Sequence, residues 1–234
     1  MRMNGNSMIG ADEERFLASN VILLDGEPVT SLGSLPANVS VRYSPQTQDN
    51  SVSLSSPHGA GSYWVNLASA VNCAVTIGSG LQINTGQLGV TFISNAGRPS
   101  RGSTVVVGEN CVQNGSVLCV APFWDQVLIV GDNCLFASNV TLRASSHHTL
   151  FSLDDGVALN VERGISIGSH VWFGQDVLVL NRSVIGNDCV VAARSMVNSD
   201  LGEANCLIAG VPAKVKRRGI GWDTRLHDDT RYKI

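Results

Sequence analysis

The fold is decided by residues 165–197, which read ISIGSHVWFGQDVLVLNRSVIGNDCVVAARSMV. A large apolar residue recurs at every sixth position, and a small or β-branched residue follows four positions later in most repeats. The large residues are Ile167, Phe173, Val179, Ile185, Val191 and Val197, and the small ones are Val171, Val177, Ser183, Cys189 and Ser195. Neither an amphipathic helix nor a simple strand repeats every six residues. This period predicts short strands separated by corners, with three strands closing one solenoid coil of about 18 residues.

The same six-residue spacing of large apolar residues recurs upstream in separate blocks. Between the blocks, additional residues shift the spacing out of phase. The large residues of these blocks are Ile77, Ile83, Val107, Val130, Phe136 and Leu142. Each such phase slip predicts residues expelled from a corner of the solenoid, at about 91–104, 121–126 and 149–164. Repeat scaffolds carry function in such loops, so a site is expected in these segments.

Residues 1–70 lack the period and contain short apolar runs between stretches rich in Ser, Pro, Gln and Gly. We expect a β-rich N-terminal cap here, because the open end of a solenoid presents an unpaired strand edge. A module that binds an acceptor is the alternative. The sequence therefore predicts an all-β chain with this cap, a parallel β-helix over 71–204 and a short C-terminal tail over 205–234.

The composition limits the classes of protein to consider. Apolar residues make up 44% of the 234 residues and charged residues 15%, which suits a sizeable core. A net charge of −3 gives no basic field for nucleic acid. No apolar run is long enough for a transmembrane segment, and the N-terminus lacks the apolar centre of a secretory signal. We therefore expect a cytoplasmic protein.

The six cysteines include no Cys-x-x-Cys pair. Cys111, Cys134 and Cys189 each fall four residues after a large apolar phase position, where the repeat requires a small buried side chain. Cysteine is small and readily buried. We expect structural thiols and no metal site.

Two histidines stand where the longest predicted loop begins. Residues 127–148 complete a coil and end on His147 and His148, and the following segment 149–164 is too long for a corner. An imidazole titrates near neutral pH and can take a proton from a hydroxyl as its oxygen attacks an electrophile. The pair is therefore the first candidate for catalysis.

Several motifs around this pair carry a family resemblance. They are LRASSHHTLFSLDDGVALN at 142–160, ISIGSHVWFG at 165–174, VVAARSMV at 190–197, AGVPAKV at 209–215 and a final Trp222. In order and spacing they resemble the hexapeptide-repeat acyltransferases, most closely the sugar and polysaccharide O-acetyltransferases. The resemblance is specific over about 127–222 and does not cover 1–70. It implies a left-handed β-helix, whereas parallel crossovers are in general right-handed.

The resemblance implies roles for the histidines. His148 matches the general base of the family, which lets an acceptor hydroxyl attack the thioester of acetyl-CoA directly. His147 is expected to orient His148, bind the acceptor or face away. The family usually has Asp two residues before the base, where this chain has Ser146, so a carboxylate such as Asp154 or Asp155 is a candidate replacement.

The resemblance also implies a CoA side and an acceptor side. Trp172 matches a tryptophan near the thioester, although packing between subunits is its alternative role, and His170 is expected to be a corner residue without a role. The expected cofactor-binding residues are Trp172, Gly174, Ala193, Arg194, Lys214, Arg217 and Arg218. Arg143 and Asn160 are expected on the acceptor side. Relatives are homotrimers with CoA between two solenoids, which implies the same assembly here.

The sequence thus predicts an acetyl-CoA-dependent O-acetyltransferase acting on a hydroxyl of a sugar or cell-surface polysaccharide unit. N-acylation of an amino sugar nucleotide uses the same machinery and stays open, as does acetylation of an antibiotic. A metal enzyme of the γ-carbonic anhydrase type requires three histidines around one metal, and the five histidines do not show that spacing. A non-catalytic solenoid scaffold is the remaining alternative.

Overall fold

The computed structural model describes residues 6–225, with side chains from residue 10 onward. Its strands stack in three sheets that form the three faces of a solenoid. Face 1 contains β1 (Val21–Leu24), β4 (Ser51–Leu54), β7 (Ala74–Ile77), β11 (Thr104–Val107), β14 (Val127–Val130), β17 (Ile165–Ile167), β20 (Ser183–Ile185) and β23 (Asp200–Leu201). Face 2 contains β8 (Gln82–Ile83), β12 (Val112–Gln113), β15 (Leu135–Phe136), β18 (Trp172–Phe173), β21 (Val190–Val191), β24 (Cys206–Gly210) and, antiparallel at its edge, β25 (Ala213–Arg218). Face 3 contains β3 (Val39–Arg42), β5 (Ser62–Asn66), β9 (Gln87–Thr91), β13 (Val117–Val120), β16 (Val140–Arg143), β19 (Leu178–Leu180) and β22 (Met196–Val197).

Five short elements complete the chain. They are helix α1 (Asn6–Ser19), β2 (Glu27–Pro28) antiparallel to β1, a 3₁₀ turn (Leu32–Ser34), and the pair β6 (Ala70–Val71) and β10 (Ser100–Arg101). The chain passes from face 1 through a first corner to face 2, through a second corner to face 3, and through a third corner to the next coil. These corners are used below to place the site.

The apolar phase of the sequence fills the interior of the solenoid. Every large and small phase residue named in 165–197 is at most 2% exposed. Equivalent residues of successive coils lie in register, as Ile167 does with Ile185. Phe136 and Phe173 stack with ring centroids 4.9 Å apart. The predicted period and the all-β class are confirmed.

The N-terminal part differs from the predicted cap. β1 pairs in parallel with β4 and β4 with β7, and β3 pairs with β5 and β5 with β9. Residues 21–66 are therefore the first coils of the solenoid, which does not begin at residue 71. The period is hidden because each of these coils carries extra residues at its corners. Val21, for example, pairs with Ser51 across a full coil.

The helix α1 lies next to the first coil and is tied to it by buried amides. Asn20, just after the helix, donates to the Phe16 carbonyl at 2.8 Å and accepts from the Asn50 side chain at 2.8 Å. Asn50 in turn accepts from the Cys73 N–H at 2.8 Å, so polar contacts link the helix end to two successive coils. Within residues 6–225, no helix combines the length and the apolar character that crossing a bilayer requires.

The six cysteines are buried and carry free thiols. Burial raises the pKa of Cys119 to about 12, so this thiol stays protonated and behaves as a small apolar group. Cys111 and Cys134 lie on successive coils at the same corner. These positions match the small buried slot that the repeat predicts.

The three long insertions leave the solenoid at one place, the third corner. They follow β9, β13 and β16, which are neighbours on face 3. The last insertion folds into a hairpin in which Leu159 donates to the Leu150 carbonyl at 2.8 Å and Ser152 to the Val157 carbonyl at 2.9 Å. Because equivalent corners of successive coils stack, the insertions lie beside one another.

Candidate active site

The third corner holds a cavity of about 360 Å³, which we call the histidine pocket. All three insertions line it. The lining residues are Asn95, Phe123, Trp124, Gln126, Ser145, Ser146, His147, His148, Thr149, Ala158, Asn160, Val161 and Glu162. The two predicted catalytic histidines thus lie in a cavity built from loops that the phase slips predicted.

His147 is held in the pocket by its backbone. Its φ is +65°, in the left-handed region that only a few per cent of non-glycine residues adopt. Its N–H donates to Ser145 Oγ at 3.2 Å, and its carbonyl accepts from the Asn95 side chain. Asn95 belongs to the insertion after β9, so loops of two different coils fix this histidine.

The ring of His147 has one nitrogen engaged and one without a partner. Nη2 of Arg143 lies 3.4 Å from His147 Nδ1. A guanidinium can only donate, so Nδ1 accepts, and the proton of the neutral ring lies on Nε2. Nε2 is buried without a hydrogen-bond partner. Burial, and next the charge of Arg143, lower the pKa of His147, so the neutral ring presents an N–H donor at neutral pH.

His148, unlike His147, has an exposed ring without a hydrogen-bond partner among the described residues. Its side chain is exposed at the pocket, and its ring makes no hydrogen bond to any residue in the described range. Its backbone carbonyl accepts from Asn160 Nδ2 at 2.8 Å, and Asn160 Oδ1 accepts from the Leu150 N–H at 2.7 Å. The backbone of His148 is therefore anchored while its imidazole can offer a free nitrogen to a ligand. Asn160, expected on the acceptor side, is placed as a support for His148.

The pocket contains a carboxylate that the sequence did not single out. Glu162 lines the cavity, and its Oε2 accepts from the Phe123 N–H at 2.7 Å. Its negative charge acts against the lowering of the His147 pKa. Asp154 and Asp155, the carboxylates considered as replacements at Ser146, lie in the exposed hairpin and do not line the pocket. Of the described carboxylates, Glu162 is thus the one that faces the histidines.

Two aromatic residues form one wall of the pocket. The rings of Phe123 and Trp124 lie 5.0 Å apart at 44°, and Trp124 is 51% exposed. An exposed indole offers a broad apolar face and an N–H donor. Sugar rings present C–H groups on their faces and hydroxyls at their edges, so this wall is suited to a sugar.

Trp172 does not lie in the histidine pocket. It is 40% exposed on face 2 and lies near Trp222, with ring centroids 6.1 Å apart. The His170 ring stacks on Trp222 at 4.2 Å, and His170 Nδ1 lies 2.9 Å from Asp188 Oδ1. His170 also accepts at its carbonyl from the Trp222 indole at 2.8 Å. His170 thus lies at a corner, as expected, and its ring and carbonyl hold Trp222 against face 2.

The other residues expected to bind CoA are spread over face 2 and the second corner. Gly174 is required for close stacking, because an added Cβ would lie 2.5 Å from the Ala193 nitrogen. Arg194 is exposed at a positive φ of 59°, 3.6 Å from Asp176.

The three basic residues of the C-terminal tail that were expected to bind CoA differ in their surroundings. Lys214 and Arg217 are exposed on β25, whereas Arg218 makes two hydrogen bonds, of 2.8 and 2.9 Å, to the Glu203 carboxylate. Arg218 is thus already engaged in an ion pair. Residues 226–234 of the predicted tail, including His227, lie outside the described residues.

The chain is similar in sequence to known proteins over about half of its length. No family model matches it. The galactoside O-acetyltransferase of Escherichia coli (strain K12) is 34% identical over 118 residues, covering 50% of this chain and 56% of that protein. The polysialic acid O-acetyltransferase of Escherichia coli O1:K1 / APEC is 30% identical over 123 residues, covering 53% of this chain and 39% of that protein. The chain therefore spans about half the length of these relatives or less.

The fold is similar to that of a solved acetyltransferase structure. The polySia-specific acetyltransferase NeuO matches with a TM-score of 0.54 at 20% identity, covering 91% of this chain and 88% of that one. This likeness shows the fold, and it extends over the first coils that the sequence motifs did not cover. The predicted left-handed parallel β-helix is confirmed. In its motifs, in sequence and in fold, the chain resembles the hexapeptide-repeat acyltransferases, and among them the sugar and polysaccharide O-acetyltransferases.

Proposed function

We propose that this protein is an acetyl-CoA-dependent O-acetyltransferase that acetylates a hydroxyl of a sugar or polysaccharide unit. The observation that carries the proposal is the His147–His148 pair in a cavity walled by Phe123 and Trp124. The similarity to proteins named as galactoside and polysialic acid O-acetyltransferases supports a sugar acceptor.

His148 is the general base of the proposed reaction. Its exposed imidazole takes the proton of the acceptor hydroxyl while the oxygen attacks the thioester carbonyl. A C–O bond forms, and the tetrahedral species then expels the thiolate of CoA, which recovers the proton from the imidazolium. A thiolate leaves readily, so no covalent enzyme intermediate is needed.

His147 has a different task in this mechanism. Its Nδ1 is engaged by Arg143, so its free Nε2–H is a donor and not a base. A buried donor aimed at developing negative charge stabilises a tetrahedral oxyanion. We assign His147 to this oxyanion or to the acceptor oxygen, which requires the groups that cover Nε2 to move aside when the ligand binds. Arg143 and Asn95 are its positioning residues.

The CoA side of the site comes from a neighbouring copy. Trp172 lies on face 2 and the histidine pocket at the third corner of the same chain, so the two predicted halves do not meet within one solenoid. In a homotrimer of parallel solenoids, the pocket of one copy faces Trp172, Lys214 and Arg217 of the next. The exposed apolar residues of the hairpin, among them Leu153 and Leu159, suit burial in such an assembly.

Thiol release from acetyl-CoA with a panel of sugars and oligosaccharides tests the proposal. A hydroxyl acceptor that is acetylated supports it, and acetylation restricted to amino sugar nucleotides would favour N-acylation. Neither CoA binding nor turnover with any acceptor would favour a scaffold.

A further inference from the structure

A second cleft lies on face 1. It has a volume of about 530 Å³ and is lined by Val127, Arg163 and Arg182 among others. Val127 directly follows Gln126, and Arg163 directly follows Glu162, both of which line the histidine pocket. The two cavities are thus bordered by consecutive residues at two points of the chain.

The two arginines of the cleft lie on successive coils. The Arg163 N–H donates to Asn181 Oδ1 at 2.8 Å, and the Arg182 N–H donates to the Gly164 carbonyl at 2.7 Å. Adjacent strands of a sheet are about 4.8 Å apart, so two positive side chains leave the backbone close together. Both are exposed, and neither guanidinium has a hydrogen bond or ion pair to any residue between 6 and 225. Two unpaired like charges in one cleft favour an anionic ligand.

The backbone at Arg182 limits the residues that can replace it. Arg182 has a φ of +74°, in the left-handed region that glycine, asparagine and aspartate tolerate best. Asparagine is therefore the replacement that keeps the local backbone.

We propose that this cleft is a subsite for the carboxylate of an acidic glycan, whose reacting hydroxyl lies in the histidine pocket. The inference rests on the proposed function and names its acceptor class. A guanidinium binds a carboxylate through two parallel hydrogen bonds, and Ser166 and Ser199 supply hydroxyls for the sugar. Asp200 also lines the cleft, and its carboxylate accepts from the Gly202 N–H at 2.9 Å.

The test compares an acidic oligosaccharide with the same oligosaccharide after reduction of its carboxyl groups. Arg163→Gln and Arg182→Asn are the variants, and Asn is chosen because it suits the positive φ at residue 182. Each variant should raise KM for the acidic acceptor about tenfold, the size of one charge-assisted pair, and leave kcat and the KM for acetyl-CoA unchanged. The reduced acceptor should respond to neither variant. Arg101→Gln, at an exposed arginine of β10 outside both cavities, is the matched control.

Three results would overturn the proposal. Equal KM values for the acidic and reduced acceptors would show no carboxylate subsite. A raised KM for acetyl-CoA would assign the arginines to the CoA phosphates, and a changed oligomeric state in light scattering would assign them to a subunit interface. If no acceptor is acetylated, the proposed function fails, and calorimetric binding of the acidic oligosaccharide to wild type and Arg182→Asn still decides whether the subsite exists.

Discussion

Nη2 of Arg143 lies 3.4 Å from Nδ1 of His147 and leaves the other ring nitrogen, Nε2, buried without a partner. This contact distinguishes two histidines that are adjacent in sequence. His147 is held neutral as a donor, and His148 is left free as an acceptor. The predictions below follow from that distinction and from the proposed division of the site between face 2 and the third corner.

Replacing Arg143 should raise the pKa of His147. Burial, the Arg143 charge and the neighbouring His148 lower it in the wild type, so Arg143→Gln removes one of these three causes. Glu162 acts in the opposite direction, so Glu162→Gln should lower the pKa further. Titration of the His147 ring by NMR measures both shifts. An unchanged pKa in Arg143→Gln would show that the guanidinium does not engage the ring.

The same lowered pKa predicts an acid-sensitive fold. The folded state binds a proton at His147 less readily than the unfolded state, whose histidine titrates near pH 6.5. The contribution of neutral His147 to the free energy of unfolding is therefore fully present above pH 6.5. It falls as the pH drops below that value. Urea unfolding of wild type and His147→Asn between pH 5 and 8 measures this. The wild type should lose more stability on acidification, and parallel pH curves for the two proteins would contradict the prediction.

Asn95 should affect catalysis more than stability. Its side chain donates to the His147 carbonyl from an exposed loop, so Asn95→Ala should lower kcat about tenfold by misplacing the ring and change Tm little. Asn114→Ala, at another exposed asparagine of the solenoid, is a suitable control. A large fall in Tm without a fall in kcat would make Asn95 a structural residue.

Two variants should complement each other if the site lies between copies. His148→Ala removes the proposed base at the third corner, and Trp172→Ala removes the proposed CoA contact on face 2. Each variant alone should be impaired, and their coexpression should restore part of the activity, because some hybrid trimers combine an intact pocket with an intact face 2. Activity no higher than that of the separate variants would place the whole site within one chain.

The adjacent residues Trp172 and Phe173 should differ sharply in stability effects. Phe173 is fully buried against Phe136, so Phe173→Ala should cost about 3–5 kcal/mol of unfolding free energy. Trp172→Ala removes an exposed ring and should cost much less. Chemical denaturation of both variants tests the inward and outward alternation along β18.

The sequence allowed prediction of the solenoid wherever blocks of the six-residue phase survive between the insertions. Ile167 to Val197 keep their phase because no residue is inserted between successive strands. The first coils were missed because their corner insertions break the period, although Val52 and Val65 fill the same interior.

The sequence predicted those residues of the candidate site that belong to a recognisable motif. His147 and His148 were found in that way, and both lie in the pocket. Asn95 and Glu162 were missed because they approach the histidines only through the stacking of corners from different coils, and spacing along the chain does not show such contacts. Arg218 was expected to bind CoA, and its pairing with Glu203 depends on how β25 folds back.

Thiol release from acetyl-CoA by wild type, His148→Ala and His147→Ala, with the best acceptor found, tests the central claim most directly. We predict that His148→Ala lowers kcat at least about a hundredfold. His147→Ala should also lower kcat, but by less than His148→Ala does. If His148→Ala is as active as the wild type, the assignment of His148 as the base is wrong, and His147 becomes the candidate.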